Sequence, residues 1–190
     1  MKSASAGAPS DRNEKTFFRL GGFYLPLKVG EHVCLIRAFN VLRQYDEKDF
    51  LPAYETLAQY VLPGGLMIEG TSNPFGSVWC ANLARRVDSE DKGQWEMEAL
   101  VFSTNFRLGF DAGEFQTILP KNLIHHVMPG EPIHDFFEAW KASAAEMSSI
   151  KNYGVRQWFI AIAERLAQRG YEVALQRKWL SKGYLIWKTA

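Results

Sequence analysis

The sequence predicts an α/β sandwich: a partial, mainly parallel sheet with helices on both faces, closed by a C-terminal antiparallel hairpin. Three observations predict it. VCLIRAF (Val33 to Phe39) is apolar except for Arg37, the pattern of a parallel strand covered on both sides. Phe50, Tyr54, Leu57, Ala58 and Val61 then fall at helical spacing, giving one apolar helix face. Pro63-Gly64-Gly65 breaks that helix, and Leu66 to Ile68 begins a second apolar strand. Strand, helix and parallel strand make one right-handed crossover unit.

The elements follow in chain order. Residues 1–15 are small and polar, the composition of a disordered tail. Thr16 to Leu20 reads as a short strand stopped by Gly21-Gly22. After the crossover, with Asp49 as helix cap and Pro52 in the first turn, Asn73-Pro74 marks a turn. Phe75 to Val87 is expected to be helical, with Val78, Trp79, Leu83 and Val87 on one side. Asp88 to Gln94 is a polar loop, and Trp95 to Phe106 reads as a strand. Gly113 to Leu119 is a short helix that Pro120 stops. His134 to Met147 is helical, and Val155 to Gln168 is the clearest helix, ended by the basic Arg169 and the C-cap Gly170. Tyr171 to Trp179 and Tyr184 to Lys188 are expected as the closing pair of strands.

LPLKVGEHVCLIRAFNVLRQY followed by LPGGLMIEGTS resembles the middle of a class I S-adenosylmethionine-dependent methyltransferase, a Rossmann-like fold. In that family a Leu-Pro segment precedes the fourth strand, and a Pro-Gly-Gly turn leads into the fifth. Residues 20–72 carry the resemblance well, and the helix before Arg169-Gly170-Tyr171 carries it more weakly. It implies one truncated domain over 16–190, with 73–152 as an insertion between the fifth strand and the last helix. It also implies S-adenosylmethionine as cofactor. Asn40, in the loop after the first strand, is the candidate catalytic residue; its bland reading is a side chain that orders the loop. Phe39 is expected near the transferred methyl, Tyr24 near the adenine, and Glu69 and Thr71 at the end of the next strand are further cofactor-binding candidates.

One family feature is not written here. Residues 1–32 contain no buried strand followed by Gly-x-Gly, the turn that lets a backbone approach a nucleotide, and no carboxylate stands near Gly21-Gly22-Phe23-Tyr24. VCLIRAF is therefore expected to leave an unpaired edge, a template for strand addition. The expectation is that a second copy or a partner chain covers it and that the polypeptide is a fragment. Against methyl transfer stands a second class, a non-catalytic methyltransferase-like binding or assembly partner.

Composition bounds the rest. With 190 residues and 47% of them hydrophobic, the chain suffices for one well-cored domain. Its 22 basic and 21 acidic side chains leave a net charge of +1, against a phosphate-led nucleic-acid site. No apolar run approaches a membrane span, and the N-terminus lacks the apolar core of a secretory signal. Cys34 and Cys80 suggest neither disulfide nor metal site, hence a reducing cytoplasm. His125-His126 invites a metal reading, but strand neighbours point to opposite faces and no further ligand stands at suitable spacing. His125 stays open as a general base. Arg85-Arg86, Thr104, Asn105 and Arg107 read as solvated or loop positions before they read as ligand contacts.

Overall fold

A computed structural model describes residues 18–88 and 94–188. The expected disordered tail, the first two residues of the expected Thr16–Leu20 strand and most of the Asp88–Gln94 loop lie outside the described residues. Phe18 to Leu20 has no regular structure. One five-stranded sheet runs in chain order: β1 (Val33–Phe39), β2 (Val61–Ser72), β3 (Val78–Val87), β4 (Gln94–Thr104) and β5 (Tyr184–Trp187). Helix α1 (Phe50–Ala58) joins β1 to β2; α2 (Pro132–Glu146), α3 (Val155–Gln168) and the short α4 (Arg177–Leu180) lie between β4 and β5.

The expected mainly parallel Rossmann-like sheet is not what forms. Only β1 and β2 pair in parallel, across α1; β2–β3, β3–β4 and β4–β5 are antiparallel. The cause is Phe75 to Val87, which is not the expected helix. Asn73 to Gly76 turns the chain, with the Asn73 side chain accepting from the Ser77 amide at 2.9 Å, and β3 folds straight back along β2. A tight turn can join only antiparallel neighbours, whereas a parallel pair needs a long crossover. Cys80 and Ala84 in β3 are fully buried on the core face and Ala81 on the other, beside Gly70 and Val101, small side chains that fit a strand flanked on both edges.

Pro63-Gly64-Gly65 also has another role. Helix α1 ends at Ala58, and the tripeptide lies inside β2, as an irregularity opposite Val33–Leu35. Gly64 has φ +80°, and a Cβ on Gly65 would stand 2.9 Å from the Cys34 carbonyl, so both positions favour glycine. The C-terminal hairpin is corrected as well. Val173 makes a single bridge to Trp187, Arg177–Leu180 is helical, and the antiparallel partner of β5 is β4. Helix α3 has the bounds its spacing predicts. Gly170, at φ +96°, donates to the Ala167 carbonyl and Tyr171 to that of Leu166, a paired closure of the last turn.

Helices on both faces were expected; the structure places the packed layer on one. Alternate residues of each strand, such as Met67, Glu69 and Thr71 on β2 and Cys80, Asn82 and Ala84 on β3, point into that layer and are buried. Two cores fill it. One, beneath α2 and α3, is dense in rings: Phe102, Phe115, Phe136, Phe137 and Trp140, with Phe136 stacked on Trp187 at 4.1 Å between centroids. The other lies beneath α1 and holds Leu42, Phe50, Ala53, Tyr54, Leu57, Met67 and Ala84. On the opposite face Phe39, Leu66, Ile68, Trp79, Leu83, Val101 and Ile186 stay half-exposed, and Leu35 is 55% exposed. Among the described residues, β1 pairs on one edge only.

Candidate functional site

Two cavities carry polar groups that converge. The first lies at the carboxyl ends of the one parallel pair, β1 and β2. It is an open cleft of about 800 Å³ lined by Asn40, Arg43, Ser72, Asn73, Phe75, Gly76 and Thr117, among others. Asn40 shapes it. The residue sits at φ +59°, a left-handed conformation that Asn tolerates better than most. Its side chain then reaches across to β2, donating from Nδ2 to Ser72 Oγ at 3.0 Å and accepting at Oδ1 from the Ser72 amide at 2.9 Å. Its backbone amide donates to the Gly70 carbonyl at 2.8 Å, and its carbonyl accepts from Gln44 Nε2 at 3.0 Å. Asn40 thus clamps the two strand ends together.

The second cavity, of about 480 Å³, opens at the seam between the two cores. Phe50, Leu51, Tyr54, Glu55, Gln94, Trp95, Met97 and Asn122 line it. Beneath it lies a buried polar network. Glu69 on β2 stands opposite Asn82 on β3, and Tyr54 projects from α1 onto both. Tyr54 Oη donates to Glu69 Oε2 at 3.3 Å, and Asn82 Nδ2 donates to the same oxygen at 3.3 Å and to Asn122 Oδ1 at 2.9 Å. Among the described residues no cation joins Glu69. Burial holds its carboxyl up at about 7, even though the hydrogen bonds from Tyr54 and Asn82 pull it down. Burial, then the nearby Glu69 charge, push the Tyr54 phenol and the Cys80 thiol well above their ordinary values.

The five residues singled out from the sequence do not meet in one cavity. Asn40 alone lines the strand-end cleft. Phe39 lies on the half-exposed sheet face, under the Arg37 guanidinium and edge-on to Trp79 at 5.5 Å. Glu69 is in the buried network, and Thr71 Oγ1 donates to the Leu119 carbonyl at 3.1 Å. Tyr24 is 76% exposed. Sequence reading missed Tyr54, Asn82, Asn122 and Trp95 as a group. A usable signal existed for the Glu69–Asn82 pair, since both are polar in otherwise apolar runs, but it needs β3 to be read as a strand.

Neither cavity has an obvious metal set: among the described residues no cluster of three or more His, Cys, Asp or Glu could hold an ion. His126 lies near Glu131, at 3.5 Å, and the backbone around His125 is a short turn, Ile124–His126. Among the described residues no helix is long and apolar enough to cross a membrane.

Comparison with known proteins adds no relative: no family model, no curated protein and no solved structure matches this chain.

Proposed function

We propose that this chain is an S-adenosylmethionine-dependent methyltransferase-like protein whose ligand cleft is completed by a second chain. The observation that carries the reading is the β1–α1–β2 crossover with the Asn40-clamped cleft at its carboxyl ends. A cleft so placed suits catalysis by positioning, in which a nucleophile is held in line with the group to be transferred. By itself it does not fit a nucleoside cofactor. None of its lining residues is a carboxylate to hold ribose hydroxyls, and both ends of the Asn40 amide are engaged with Ser72. Arg43, whose Nη2 reaches the Thr117 carbonyl at 3.5 Å, is the cationic group at the lip.

The edge of β1 supports completion from outside. Asn40 directly follows this edge strand, so a chain added along Val33–Phe39 would end beside the cleft and wall it. A homodimer is the simplest such arrangement. The half-exposed apolar face beside that edge also favours the second reading, a non-catalytic assembly partner. Cys34 and Cys80 are both free thiols, which supports a reducing, cytoplasmic setting.

Sizing chromatography followed by calorimetry with S-adenosylmethionine tests the proposal. The expected result is binding by the associated species and loss of both association and binding in Leu35→Lys. Association without cofactor binding would leave only the assembly reading. Binding by the monomer would refute the need for a second chain.

A further inference from the structure

The seam cavity is independent of the strand-end cleft, and its chemistry is distinctive. Three aromatic rings line it, those of Phe50, Tyr54 and Trp95, together with Met97 and Leu51. The rings are fastened. Trp95 Nε1 donates to the Tyr54 carbonyl at 2.8 Å, Phe50 packs on Tyr54 at 4.2 Å between centroids, and Glu69 and Asn82 hold the Tyr54 hydroxyl from below. Glu55 supplies an exposed carboxylate, and among the described residues no Lys or Arg lines the cavity. Glu69 adds negative charge under the floor as it ionises, and among the described residues its partners are the neutral Tyr54 and Asn82.

We infer that this cavity is an aromatic cage for a small alkylammonium ion. The faces of aromatic rings carry negative potential and attract a cation, most strongly where water is excluded. A quaternary or methylated ammonium is cheaper to strip of water than a bare ammonium, and its methyl groups pack against Met97 and Leu51. An anion meets the Glu55 carboxylate and the ring faces, with only the amides of Gln94 and Asn122 to donate to it, and a neutral isostere loses the charge on which Glu55 and the rings act. The volume of about 480 Å³ falls in the range of small-molecule sites.

Titration calorimetry of the whole chain with choline, and with its neutral isostere 3,3-dimethylbutan-1-ol, tests the assignment. Choline is expected to bind roughly tenfold more tightly than the isostere. Glu55→Gln, at an exposed position, is expected to weaken choline several-fold and to leave the isostere unchanged. Trp95→Leu should abolish the preference for the cation. If that variant fails to melt cooperatively, the Glu55→Gln comparison decides alone. Equal affinity for the two probes would reduce the cavity to an apolar slot and overturn the inference, as would the absence of heat from choline at about 10 mM, far above the concentration at which a preformed cage fills.

Discussion

The half of the molecule beneath α2 and α3 and the half beneath α1 solve the same problem differently. Both cover one face of the same sheet. The first does so with rings packed on rings: Phe102 alone contacts Phe115, Phe136, Phe137 and Trp140. The second mixes aliphatic groups with fewer rings, Phe50 and Tyr54, and admits a carboxylate, a phenol and an amide among them. The difference teaches where stability and where chemistry reside. The ring cluster gains burial and edge-to-face contacts with few polar groups to satisfy: the Trp158 indole donates to the Ala144 carbonyl at 3.1 Å, and that of Trp140 has no partner among the described residues. A buried carboxylate facing only neutral donors costs the folded state and is tunable by ligand or proton.

Substitutions can break this contrast in order of size. Phe102→Ala removes the ring at the centre of the larger core and should cost about 3–5 kcal/mol by denaturant unfolding. A loss below about 1 kcal/mol would mean that the ring cluster does not anchor the fold. Glu69→Gln probes the other half through pH. A carboxyl raised to about 7 in the folded chain, from an ordinary 4.5, binds its proton more tightly folded than unfolded. Its contribution is therefore full below the lower value and is lost as pH climbs to the upper one, about 3 kcal/mol at most. The glutamine variant should gain on the wild type between pH 5 and pH 8 in melting experiments; a constant difference would place Glu69 outside the buried network. The smallest effect is expected on the uncovered side. Leu35→Lys should change the stability of the monomer by less than about 0.5 kcal/mol while suppressing self-association. A large loss of monomer stability would show that Leu35 is part of the monomer's packing.

Much of the local structure was legible, and the reasons differ by element. The continuous apolar run VCLIRAF and the helical stripe of Val155–Gln168 are strong local patterns, so β1 and α3 take the bounds they predict. Even so, β1 is an edge strand with Cys34 and Leu35 exposed and is not covered on both sides. Val78 to Val87 carries no such guide. Its Val78, Trp79, Leu83 and Val87 fit a helical stripe, and only pairing with β2 on one edge and β4 on the other makes it a strand. That single misreading converts an antiparallel return into a helical crossover, and with it the whole sheet order. Tyr171 to Trp179 fails for a related reason. Its apolar content is satisfied by one bridge at Val173 and by burying Leu180 at the end of α4. At the cleft, the spacing placed Asn40 at a strand end, but not its bidentate hold on Ser72, which joins residues 32 positions apart. The seam network was hidden for the same cause: Tyr54, Glu69, Asn82 and Asn122 converge only once β3 lies beside β2.

The two thiols keep very different company. Cys80 is sealed in the interior with its proton held tightly, whereas Cys34 sits exposed on the edge strand β1. Alkylating reagents will therefore modify a single position on the native chain, and that position lies on the very border where a companion would join. On the proposed association, the unaltered polypeptide would carry its own occupancy gauge, reactive while the border is open and shielded once it is taken.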